Sequence, residues 1–193
     1  VSRDGSVRTG VTVSDPALRN SDAAIGPDGT AYVVTYNWRE PSGAGEAAEY
    51  TLISALTLDG LRPAYPISVD GWASVPAFGS NGRFYVTVED GLMSEQFDLS
   101  SQVIAFTREG RIAGGWPVQI PIDTWTSSSE GPGPPASTVA APNGSVYIVG
   151  GQQPTSGDAR STIAYALDPS GDRLVGWPYE SDRDLIAGVH VAT

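Results

Sequence analysis

Few side chains in this sequence could do bond-making chemistry. His190 is the only histidine and there is no cysteine, so a Ser-His-Asp relay would depend on one residue, and thiolate metal sites and disulfides are excluded. His190 also lies in the apolar run LIAGVHVAT (185–193), where a core position suits it better than a base or a ligand. Carboxylates are plentiful, with 22 Asp and Glu against 11 basic residues, all arginine. Two converging loop acids could serve glycoside chemistry, but no spacing selects a pair, and no catalytic residue is assigned. Trp38, Trp72 and Trp125 stand in or beside polar, acidic stretches, with Glu89, Asp90 and Asp123 in the same set of loops. An exposed indole beside carboxylates can stack on a sugar or anchor a protein. These six residues are the candidate binding set, and the competing structural role for each indole is to fold back over a sheet edge.

Composition narrows the partners. A net charge of −11 opposes binding to a phosphate backbone, which needs clustered Lys and Arg. It permits a cation, a basic partner, or solubility alone. No apolar run approaches the roughly 20 residues that span a bilayer as a helix. The segment GPGPP (131–135) is a stiff connector rather than a phosphate loop, because proline removes backbone donors.

The elements that position these residues repeat. AAIGPDGTAYVV (23–34), PAFGSNGRFYVTV (76–88) and TVAAPNGSVYIVG (138–150) each give an apolar strand, a glycine turn and an aromatic-bearing strand. Their glycines are Gly29, Gly82 and Gly144, and their tyrosines Tyr32, Tyr85 and Tyr147, with matching spacings. A second series keeps step: TLISALTLDGL (51–61), SQVIAFTREGRI (101–112) and TIAYALDPSGDRL (162–174) end in turns at Gly60, Gly110 and Gly171. An aromatic–proline pair follows each, at Tyr65-Pro66, Trp116-Pro117 and Trp177-Pro178. Glycine in these turns supplies the positive φ of a tight hairpin. Four strands in about 50–60 residues is the size of an enlarged propeller blade, and one such sheet must stack on neighbours to bury its faces.

The expected fold is therefore all-β, a β-propeller segment of four-stranded antiparallel blades. Residues 1–21 read as the end of a preceding blade, 22–70, 71–122 and 123–181 as whole blades, and 182–193 as the first strand of another. On this phasing one second-position strand is unaccounted for, so completion by further blades or by a second chain is expected, the former being favoured.

The repeats resemble those of the PQQ-like, quinoprotein-type β-propellers. The likeness is carried by Pro27-Asp28-Gly29-Thr30 with Ala31-Tyr32-Val33, and by Tyr165-Ala166-Leu167-Asp168-Pro169-Ser170-Gly171 with Trp177. It implies that Trp116 and Trp177 pack between neighbouring blades, with Tyr65 in that place in the first repeat. The inserted Gly-Trp-Pro also resembles FG-GAP/VCBS-type propellers, but their alternating-carboxylate calcium loop is missing from the turns PDG, SNG and PNG. The adjacent cysteine pair of the quinone-using dehydrogenases is missing too, so no quinone, metal or other cofactor is expected.

In a meander the 1–2 and 3–4 turns share one end of the sheet, and the 2–3 loops and inter-blade connections share the other. All the tight glycine turns fall at the first end. The long segments 37–49, 89–101, 122–135 and 150–161 fall at the second. Across the three whole blades that loop end, with Asp70 in a blade-to-blade connection, carries eleven acids against Arg39 and Arg160, whereas acids and arginines balance at the turn end. Long loops on a rigid scaffold commonly carry binding. The expected function is a non-catalytic binding or scaffold module offering an acidic loop end to a protein or carbohydrate partner, outside the cell or in the cell envelope (periplasm). The alternative is a part of a larger propeller enzyme, a quinoprotein-type dehydrogenase or carbohydrate-active propeller, with its site largely outside this segment.

Overall fold

Alternating apolar side chains and glycine turns produce antiparallel sheets throughout. A computed structural model describes residues 21–39, 48–89, 101–122, 136–152 and 161–181. The first sheet holds β1 (Ser21–Ile25), β2 (Ala31–Arg39), β3 (Ala48–Thr57), β4 (Gly60–Leu61) and β5 (Ile67–Asp70). The second holds β6 (Trp72–Ala73), β7 (Ala77–Phe78), β8 (Arg83–Glu89), β9 (Ser101–Thr107) and β10 (Val118–Ile120). The third holds β11 (Ser137–Ala140), β12 (Val146–Gln152), β13 (Ser161–Leu167) and β14 (Tyr179–Ser181). Each is an antiparallel meander, and no helix occurs among the described residues.

The same turns recur in each sheet. At the first hairpin Asp28, Asn81 and Asn143 accept, through Oδ1, the backbone N–H two residues on, at 3.1, 3.1 and 3.0 Å. This local bond is why Asp and Asn favour the position. Gly29, Gly82 and Gly144 follow with φ of 79°, 77° and 84°. After β3, β9 and β13 the carbonyls of Ala55, Ala105 and Ala166 accept from the N–H of Arg62, Ala113 and Leu174. The aromatic–proline bonds 65–66, 116–117 and 177–178 are all cis.

The sheets stack face to face. In β8 the side chains of Phe84, Val86 and Val88 enter a core with Tyr32, Ile53 and Tyr65 of the first sheet. Tyr85, one step out of phase, enters a second core with Val146, Ile148 and Ile163 of the third. The middle sheet is therefore buried on both faces, and its strands read as nearly continuous apolar runs. Each fully buried side chain of this size contributes about 1.5–3 kcal/mol.

One aromatic pair closes each sheet at its turn end. Tyr32 meets Tyr65 edge to face at 6.1 Å, Tyr85 meets Trp116 at 5.4 Å, and Tyr147 meets Trp177 at 5.6 Å. The two repeat series seen in the sequence thus converge on one contact. The closing aromatic also reaches the next sheet: the Tyr65 hydroxyl donates to the Arg108 carbonyl at 3.1 Å, and the Trp116 indole to the Pro169 carbonyl at 3.3 Å.

Candidate functional site

At the opposite, loop end, the first and second sheets meet through a short bridge, Gly71–Ala73, that carries Trp72. Gly71 has φ 94°, and a Cβ there would strike the backbone carbonyl of Glu89. The buried Thr51 hydroxyl donates to the Gly71 carbonyl at 2.7 Å and accepts the Ala73 N–H at 3.0 Å. Held in this way, β6 pairs with the end of β8, placing Trp72 opposite Glu89.

The other half of the site comes from the first sheet. Tyr36, late in β2, lies 5.7 Å from the Trp72 ring at an interplanar angle of 39°. Its hydroxyl faces two acceptors, the Ala73 carbonyl at 3.2 Å and an Asp22 carboxylate oxygen at 3.4 Å. Burial, reinforced by the Asp22 and Glu89 carboxylates, pushes the Tyr36 phenol up to about 12. Tyr36 therefore remains a neutral donor at physiological pH. The cluster is two half-buried aromatic rings flanked by two carboxylates, at the end of the sheets from which the long segments depart.

Of the sequence-derived candidates, Trp72 and Glu89 are brought directly opposite each other. Trp72 lies in a strand, not in a loop. The backbone of Trp38 pairs with that of Glu49 at the end of β2 and β3. Asp90, Asp123 and Trp125 lie outside the described residues, as do His190 and the end segments 1–20 and 182–193. Tyr36 and Asp22 were not candidates from sequence. The only signal for Tyr36 was that alternation from Tyr32 and Val34 carries it to the same face of β2.

The turn end differs in kind. Asp28 and Arg62 form an ion pair at 3.4 Å. Partial burial works against ionisation of Asp28, but the Thr30 bonds and the nearby Arg62 and Arg108 prevail and hold its carboxyl below the usual range. Arg83 donates to the Pro169 carbonyl at 2.6 Å. Asp168 accepts from the N–H groups of Ser170 and Asp172 and from the Ser170 hydroxyl. Ser170 chiefly, with the backbone N–H groups of Asp172, Ser170 and Gly171, holds the Asp168 carboxyl low against the opposing effect of burial. At this end Asp28, Arg62, Arg83 and Asp168 are engaged by the turns or by one another.

Among the described residues no three His, Cys, Asp or Glu side chains gather as a metal-ligand set. No helix among them is long and apolar enough to cross a membrane. The chain matches no protein-family model, no curated protein and no solved structure in the comparisons made with each. Two rings offer an apolar platform, and the carboxylates can accept from a cationic or hydroxyl-bearing group laid across it.

Proposed function

We propose that the three stacked sheets are blades of a β-propeller of the PQQ-like type, and that the chain is a non-catalytic binding module presenting its loop end to a partner. The observation that carries this reading is the Tyr36–Trp72 pair flanked by Asp22 and Glu89. Identical turns in three sheets, and a middle sheet buried on both faces, support the propeller part of it. The acids of the sequence between β2 and β3 and between β8 and β9 suit the same reading, and the module works outside the cell or in the envelope.

The partner of best chemical fit is a protein segment bearing arginine or lysine. A guanidinium can stack on an indole while its N–H groups meet a carboxylate. The test is a tryptophan-fluorescence titration with an Arg/Lys-rich octapeptide and, separately, with a neutral oligosaccharide. Peptide binding that weakens as salt rises, and again when Glu89 or the acids of 37–49 and 89–101 are neutralised, supports the proposal. Saturable binding of the oligosaccharide with no response to the peptide would overturn the choice of a basic partner.

A further inference from the structure

The first strand of the second sheet is broken, and the break decides where Trp72 points. Ala77 and Phe78 of β7 pair with Tyr85 and Phe84, whereas Trp72 and Ala73 of β6 pair with Glu89 and Val88. Three residues, Ser74, Val75 and Pro76, therefore stand opposite two, Val86 and Thr87. The extra residue makes a β-bulge, a device that re-aims the side chains beyond it. The matching strands β1 and β11 pair with β2 and β12 without interruption.

Ser74 holds the bulge in place. Its N–H donates to the Thr87 carbonyl at 2.7 Å, but the Thr87 N–H donates to the Ser74 hydroxyl at 3.0 Å, where a regular ladder would offer the Ser74 carbonyl. The hydroxyl in turn donates to the Val75 carbonyl at 3.2 Å. Ser74 and Thr87 are both buried, so the hydroxyl satisfies a backbone donor that would be costly to leave unpaired.

A shift of one residue turns every side chain beyond it to the opposite face. Were the register of Ala77 and Phe78 continued, Ala73 would stand opposite Glu89, and Trp72 would turn toward the core that holds Val86 and Val88. With the bulge, Ala73 enters that core, and Trp72 lies half-buried outside it against Tyr36. The backbone groups of Ala73 point away from β8. Its N–H goes to Thr51 and its carbonyl accepts from the Tyr36 hydroxyl, both on the first sheet.

We propose that Ser74 is a positioning residue for the loop-end site: its hydroxyl holds the bulge that sets Trp72 against Tyr36 and opposite Glu89. Ser74 is buried and acts only through the strand. The inference rests on the reading of that cluster as a binding site, but the placement of Trp72 can be followed without a ligand.

The test compares Ser74→Ala, which removes the hydroxyl, with Ser74→Thr, which keeps it. Thr87→Val is the control, since it removes the contact between the Thr87 and Thr138 hydroxyls and leaves both backbone bonds of the bulge. Near-UV circular dichroism reports Trp72, as the difference between each protein and its Trp72→Phe version. Titration with the Arg/Lys-rich octapeptide reports the site. Ser74→Ala should lose most of the Trp72 band and bind the peptide about five- to tenfold more weakly. Ser74→Thr should retain both, and Thr87→Val should retain both at a lower melting temperature. Where Ser74→Ala does not fold, Ser74→Cys, with a weaker acceptor, should give an intermediate loss. A Trp72 band unchanged in these variants overturns the inference, and so does an equal loss in Thr87→Val, the mark of general destabilisation. Absence of peptide binding by the wild type would overturn the binding reading instead, and the Trp72 band then decides the role of Ser74.

Discussion

The Trp116 indole N–H donates to the Pro169 carbonyl at 3.3 Å, and this bond ties the second sheet to the third at the turn end. The ring is held for it by Tyr85, edge to face, and is only 7% exposed. Tyr65 does the same work between the first and second sheets with a hydroxyl in place of the indole. The same Pro169 carbonyl also accepts from Arg83 at 2.6 Å, so removal of the indole leaves it a partner and costs the net worth of one hydrogen bond together with lost packing.

Trp116→Phe is expected to lower stability by about 1–2 kcal/mol, losing the donor and part of the buried indole while keeping an aromatic ring against Tyr85. Trp116→Ala should cost about 3–5 kcal/mol by opening a cavity between the second and third sheets. Urea unfolding of the two variants checks both figures, and their ordering is the part that matters.

Ala64 has φ 68°, in the position that Gly115 and Gly176 occupy in the other repeats at 86° and 88°. An L side chain pays for that conformation, and glycine does not. Ala64→Gly should raise stability by about 1 kcal/mol. Gly115→Ala should do the reverse and more, because its Cβ would run into the Ser170 carbonyl of the next sheet. Thermal melting of the pair reads the two signs directly.

Tyr36 predicts an alkaline response with a definite sign. Burial first, then Asp22 and Glu89, raise its phenol to about 12 when folded, against about 10 in an unfolded chain. The stabilisation tied to the protonated phenol is whole below about pH 10 and is lost as pH rises through about 12. Tyr36→Phe should flatten the fall in denaturant midpoint across that window. Some slope will remain, since burial also raises Tyr65 and Tyr165.

The repeats were legible in the sequence because they are local. A glycine turn needs only its neighbours to declare itself, and Tyr32, Tyr85 and Tyr147 keep register with Tyr65, Trp116 and Trp177. The loop-end cluster was half legible. Trp72 and Glu89 stood out by residue type, but β6 is two residues long and shows no alternation to read. Asp22 and Tyr36 belong to the first sheet and Trp72 and Glu89 to the second, so only the stacking of the two brings them together. Ala64 was hidden for a different reason: alanine carries no sign of the left-handed backbone that its repeat position imposes.

Under the proposed function, binding occupies the loop end around Tyr36, Trp72 and Glu89. Hydrogen exchange of the chain with and without the Arg/Lys-rich octapeptide tests it most directly. Protection is expected at the ends of β2, β6 and β8, around Tyr36, Trp72 and Glu89, and should fade as salt is added. Salt-indifferent protection confined to the turns at Arg62, Arg83, Arg108 and Arg111 would contradict it.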